Sequence, residues 1–141
     1  MSGPRDLWTA QGDKATVEHG AAFAPCFDRD GLLPAIVTDR ATRETLMFAW
    51  MNAEALRLTL ETGYAHFWTR SRQRIWQKGE ESGNRLRLAS ARTDCDQDVI
   101  LLEVDVEGNG VACHTGARSC FYRTIALDAG ATRPARLERK D

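Results

Sequence analysis

The stretch MNAEALRLTLETG, residues 51–63, limits the fold more than any other part of the chain. Asn52 is of the type that caps a first helical turn, Met51 can staple onto Leu56, and Gly63 can close the end as a left-handed residue. Leu56 and Leu60 share a face at helical spacing, so a helix is predicted here. The segments around it read at strand length. LLPAIVTDR and TLMFAWM are β-prone runs flanking a polar turn; AHFWTRSRQRIWQK gives two short aromatic strands around a basic turn; GEESGN is a glycine-bounded loop; RLRLASAR alternates as a strand should. DVILLEVDVEGNGVACH then predicts a strand, a Gly-Asn-Gly turn and a return strand, and SCFYRTIAL a closing strand. The sum is an α+β chain, a mostly antiparallel sheet with a packed helix.

At 141 residues the chain has the length of a single domain. Residues 31–127 carry the pattern. Residues 1–30, rich in Ala, Gly and charge without a sustained period, read as a leader with no assigned chemistry, and residues 128–141 as a polar, solvated tail. With 19 basic and 20 acidic side chains, the net charge of −1 provides no field for a phosphate polymer or an anionic membrane. No apolar stretch has the length of a signal peptide or a membrane span. No nucleic-acid or membrane partner is therefore expected, and a cytoplasmic location is.

A reducing compartment leaves the four cysteines as thiols for metals or catalysis rather than disulfides. Cys26, alone in FAPCFDRDG, reads as a small packed side chain. Cys95 stands inside RTDCDQD, where Asp94, Asp96 and Asp98 fall on one face of an extended segment and Cys95 on the other. Hard carboxylates suit Mg²⁺ and a soft thiolate suits Zn²⁺, so alternation divides two ligand classes. A calcium loop would need glycine where Val99 stands and glutamate where Asp105 stands. In a straight strand Asp94 and Asp98 would be about 13 Å apart, so the segment must bend, or waters must bridge, for one cation to be shared. The plain alternative is an acidic strand end facing water, although like charges this close repel unless compensated.

The second cluster is CHTGARSC. Cys113 and Cys120, six residues apart, form a weak zinc pair alone, but with Cys95 they fill three corners of a tetrahedron and leave the fourth for water. His114 either closes that corner as a structural Cys3His site or stands beside it as a proton acceptor or shuttle. With Asn109 at a hairpin turn, Cys113 would pair near Asp105, about 33 Å of extended strand from Cys95. Cys120 would lie opposite Asp98. A symmetric homodimer, with Cys95 of one subunit meeting Cys113 and Cys120 of the other, gathers the sulfurs. The strip TRSRQRIWQKGEESG sets Arg70, Arg72, Arg74 and Lys78 beside Trp68 and Trp76, which suits either a nucleotide pocket or a solvated hairpin edge.

FWTRSRQRIWQKGEESGN, DCDQD and ACHTGARSCF, in this order, resemble the phosphoribosyl-AMP cyclohydrolase family of histidine biosynthesis over roughly Leu32 to Arg123. The resemblance implies zinc on Cys95, Cys113 and Cys120 drawn from two subunits, and Mg²⁺ on Asp94, Asp96 and Asp98. It also implies hydrolytic opening of the adenine ring of phosphoribosyl-AMP between N1 and C6, giving phosphoribosyl-formimino aminoimidazole carboxamide ribotide. His114 is then the expected general base or shuttle. Arg70, Arg72, Lys78 and Ser82 are the expected substrate contacts, and Arg118 or Lys78 the cation offsetting thiolate charge. Glu81 and Leu86 stand where the family often has threonine and glutamine, so no substrate contact is carried over to them. The chain carries no second, pyrophosphohydrolase-like domain after Arg123, which predicts a monofunctional enzyme. A nucleobase deaminase would need H-x-E and P-C-x-x-C elements that the chain lacks. The alternative from another class is a structural zinc module for protein interaction.

Overall fold

The computed structural model describes residues 7–127, 130 and 133–139. Six strands form one sheet: β1 (Leu32–Asp39), β2 (Thr45–Asn52), β3 (His66–Thr69), β4 (Arg74–Gln77), β5 (Leu86–Thr93) and β6 (Ile100–Val106), in the order β4-β3-β2-β1-β6-β5. All neighbours are antiparallel except β1 and β6, which run parallel with Ala35 opposite Ile100 and Val37 opposite Leu102. The sheet is therefore mixed. Its two ends also approach each other, because the Ala65 N–H donates to the Leu86 carbonyl (3.0 Å) and the Leu88 N–H to the Gly63 carbonyl (2.8 Å), curling the sheet toward a half-barrel. A short helix, α1 (Lys14–His19), lies in the leader, and α2 (Ala53–Thr62) crosses from β2 to β3.

The predicted helix forms as its end signals require. The Asn52 side chain accepts from the Ala55 N–H at 2.8 Å, and Gly63 ends α2 at φ 78°. Ala55, Leu56 and Thr59 are buried against the sheet. Thr59 resolves its own polarity there: its hydroxyl donates to the Ala55 carbonyl (2.8 Å) and accepts from the His66 N–H (2.9 Å). Leu33, Val37, Leu46, Met51, Phe67, Leu102 and Val104 complete a fully buried core.

Several expectations are corrected. No return strand follows the Gly-Asn-Gly turn: residues 111–120 instead form a compact loop, closed by the Ala112 N–H on the Arg118 carbonyl and the Cys113 N–H on the Ala117 carbonyl, both 3.1 Å. The loop is fastened to β2 rather than to β6, since the Ser119 hydroxyl donates to the Thr45 carbonyl (2.6 Å) and the Cys120 N–H to the Leu46 carbonyl (2.7 Å). Cys120 therefore does not lie opposite Asp98. The closing strand shrinks to β7 (Arg123–Ile125), which pairs outside the main sheet with β8 (Leu137–Arg139), an exposed strand within the polar tail. The rest of that reading falls partly on residues 128–129, 131–132 and 140–141, outside the described residues. Cys26 is exposed rather than packed. Among the described residues no helix is long and apolar enough to cross a membrane.

The β1–β2 turn offers a pH test. The Asp39 carboxylate accepts from the Thr42 N–H (2.8 Å) and hydroxyl (3.0 Å), and the backbone donor is the main reason its pKa falls below the ordinary carboxylate value, with burial opposing. A group lowered in the folded state contributes stability above its unfolded value and loses it as pH falls through the folded one. Asp39→Ala is expected to cost about 1 kcal/mol in urea unfolding at pH 7, a difference that shrinks below about pH 4.

Candidate metal centre and substrate cleft

The acidic segment bends as a shared cation requires. Residues 94–98 form a turn in which the Gln97 N–H donates to the Asp94 carbonyl (3.1 Å) and the Asp94 carboxylate accepts from the Asp98 (3.0 Å) and Val99 (3.2 Å) N–H groups. Asp94, Asp96 and Asp98 thereby bring one oxygen each within 4.8 Å of one another. Their crowding appears in their acidities. Asp98 is pushed up to about 6, first by the hydrogen bond it shares with Asp94 and then by burial and Asp96. Asp94 meets a burial penalty, yet hydrogen bonds from its neighbours hold it below the ordinary range. No basic side chain is among the causes of the Asp98 shift, so the negative charge crowded in this turn is of the kind a cation can compensate. The donor set of three carboxylates fits a hard divalent ion.

The thiols gather elsewhere. Cys113 is buried, and its sulfur accepts from the Thr115 hydroxyl at 3.0 Å. Burial opposes its ionisation, but hydrogen bonds from the Thr115 hydroxyl and N–H and from the Cys120 thiol bring its pKa below the ordinary thiol value, with Lys78 adding. Cys120 is pushed up to about 11, by burial and then by the Cys113 charge. The two thiols are hydrogen-bonded to each other, with Cys113 made more acidic and Cys120 less so, and once deprotonated such a pair suits a soft metal. Two thiolates of one chain fit half of a zinc site.

The third candidate sulfur does not join this pair. Cys95 precedes β6 and Cys113 follows it, and a seven-residue strand is about 20 Å long. Among the described residues the aspartates alone form a three-ligand group; neither Cys95 nor His114 joins Cys113 and Cys120 within 4.8 Å. A Cys3His site inside one chain is not formed.

A cleft of about 510 Å³ lies beside the thiol pair, with Arg72, Lys78, Ser82 and His114 on its walls along with Trp76 and Glu81. Arg72 comes from the β3–β4 turn, Lys78 and Ser82 from the following loop, and His114 from the loop of Cys113. Lys78 joins the two regions, since its charge acts on both thiols while its Nζ sits 5.7 Å from the Trp76 ring centre. Arg70 is not in this cleft: its guanidinium lies over Trp50 at 4.9 Å and lines a separate hollow of about 410 Å³ with Asp30, Asn52 and Trp68. Arg118 is turned away, held by Glu44 at 2.6 and 2.8 Å. Leu86 is fully buried in the core, whereas Glu81 faces the cleft. Sequence reasoning passed over Thr115, signalled only by a hydroxyl two residues after a cysteine, and Gln97, for which residue spacing gives no signal.

The phosphoribosyl-AMP cyclohydrolase family model matches residues 47–122. The phosphoribosyl-AMP cyclohydrolase of Brucella canis is 59% identical over 118 residues, covering 84% of this chain and 85% of its own. That of Brucella anthropi is 58% identical over 118 residues (84% of each chain), and that of Sinorhizobium fredii 56% over 121 residues (86% of this chain, 80% of its own).

Proposed function

The chain belongs to the phosphoribosyl-AMP cyclohydrolase family, and from that membership we propose how its residues divide the reaction. It is an enzyme that opens the adenine ring of phosphoribosyl-AMP between N1 and C6, a hydrolytic step of histidine biosynthesis. Water oxygen ends on C6 as the new carboxamide carbonyl, and N1 leaves C6 with a proton.

Zinc is assigned to Cys113 and Cys120 of one subunit and Cys95 of a second, in a cytoplasmic homodimer with two equivalent sites. Bound there, zinc supplies water of lowered pKa near neutral pH. Mg²⁺ is assigned to Asp94, Asp96 and Asp98. His114, on the cleft wall next to Cys113, accepts the proton of the attacking water. Lys78 offsets the charge of both sulfurs and, with Arg72 and the Ser82 hydroxyl, faces the phosphorylated substrate. Trp76 offers the purine an aromatic face. Arg70, outside this cleft, reaches substrate only where a second subunit brings the two hollows together.

The observation that carries this reading is the single cleft holding Arg72, Lys78, Ser82 and His114 beside the two thiols. Ring opening followed by absorbance tests it. Purified protein should turn over phosphoribosyl-AMP with zinc and stop on chelation while its circular dichroism persists; collapse of the fold on chelation would favour a structural metal. His114→Ala should keep its zinc and lose roughly 10²–10⁴ in kcat. Undiminished turnover would remove His114 from the reaction.

A further inference from the structure

Gln97 is 5% exposed, although it sits in a surface turn between Asp96 and Asp98. Its side chain points away from the carboxylates into the leader. There Oε1 accepts from the Ala24 N–H (2.8 Å), and Nε2 donates to the carbonyls of Val17 (3.0 Å) and Ala22 (3.4 Å). Its backbone carbonyl accepts from the Cys26 N–H at 2.7 Å. Gln11 adds a second tie, donating to the Ala24 carbonyl (2.7 Å) and the Asp96 carbonyl (3.3 Å). The leader is anchored in turn by Trp8, whose ring packs on Phe23 and Phe27 with centroids 6.0 Å away in each case.

Gln97 also has φ 58°, a left-handed conformation that glycine adopts more readily. Glutamine there carries backbone strain, offset by the bonds its side chain makes. The residue that closes the turn on Asp94 is thus the one bonded to the leader. Three crowded carboxylates repel and tend to spread, so their spacing needs a frame from outside the turn. The leader supplies it and forms one wall of a cleft of about 400 Å³ whose other wall includes Asp94 and Cys95. These leader residues precede the span matched by the family model.

We infer that Gln97 is a positioning residue which, by clamping residues 17–26 against the 94–98 turn, holds the three aspartates at the spacing that binds a divalent cation, given the cation reading of that triad proposed above. It touches neither substrate nor metal. Gln97→Gly separates this role from the turn itself, because glycine suits the φ while removing the clamp.

Mn²⁺ titration of the full chain, read by loss of the free-ion electron paramagnetic resonance signal, is the test, with hydrogen exchange of residues 17–26 alongside. Gln97→Gly should bind Mn²⁺ roughly 10–100-fold more weakly, with faster exchange at the Ala24 and Cys26 amides and unchanged circular dichroism. Gln97→Glu, which keeps the acceptor for Ala24 but loses the donor, should leave the Ala24 amide more protected than the glycine variant does. Unaltered Mn²⁺ affinity in Gln97→Gly would overturn the inference, as would weakened affinity with residues 17–26 still protected. If wild type bound no Mn²⁺, or Asp96→Asn bound it as well as wild type, the cation reading itself would fall, and this inference with it.

Discussion

A mixture of Cys95→Ala and Cys113→Ala proteins, each inactive alone, is expected to recover about a quarter of wild-type turnover once subunits exchange. The reason is geometric. Cys113 and Cys120 sit in a loop fastened to β2, and Cys95, in the turn before β6, does not join them within 4.8 Å, so one chain does not assemble all three sulfurs. If two subunits complete each other, a mixed dimer contains one site with Cys95, Cys113 and Cys120 all intact and one site with two defects. Random exchange makes about half of the dimers mixed, each with one working site of two. Each variant alone should lose its zinc and at least roughly 10³ in kcat, since it is the metal that brings the pKa of water down toward neutrality. Recovery is measured by ring opening after mild unfolding and refolding of the mixture, with zinc content read in parallel. No recovery from well-folded mixed dimers would end the shared-site proposal.

Gly79→Ala is expected to cost roughly 3 kcal/mol in stability, the sum of a left-handed backbone strained by a side chain and an overpacked contact. At φ 83° a Cβ would lie 2.3 Å from the Asn84 carbonyl carbon and 2.4 Å from the Arg85 nitrogen, both backbone atoms that cannot turn aside. Gly79 follows Lys78 and opens the loop carrying Ser82, so relief of the clash must move that wall of the cleft. Km for phosphoribosyl-AMP should therefore rise along with the loss of stability. Gly83→Ala is the control: it shares φ 83° but has nothing within 4 Å, and should lose only about 1 kcal/mol in the same denaturant titration. Equal effects of the two would show that the close approach to Asn84 is unimportant.

Local chemistry made part of this molecule readable in advance. Asn52 and Gly63 each act on residues three or four positions away, and α2 has the ends they require. The β3–β4 hairpin likewise follows from its own turn. What local signals could not reveal was pairing across distance. The parallel contact of β1 with β6 joins Ala35 to Ile100, and no feature of either strand names its partner. The Gly-Asn-Gly turn misled for a related reason: its chemistry permits a hairpin, but Ser119 and Cys120 bond to the start of β2 instead, and that non-local attachment decides the course of residues 111–120. Cys26 was misjudged on residue type, because a free cysteine is usually packed, whereas here the backbone of Cys26 bonds to Gln97 while the residue stays exposed. For the site, residue chemistry singles out Asp94, Asp96 and Asp98, which the 94–98 turn brings together, and Arg72, Lys78, Ser82 and His114, which line one cleft, whereas Arg70 lines a different hollow and Arg118 pairs with Glu44.

The place of β1 between β2 and β6 has a consequence for how the molecule is made. Synthesis delivers β1, β2 and α2 early, yet β1 gains its second neighbour only when Ile100 to Val104 have emerged. Until then the edge carrying Ala35 and Val37 is open to strand pairing with any other nascent chain. Slow translation between Thr93 and Ile100 would lengthen that exposure, and chaperone demand in the cell should rise with it.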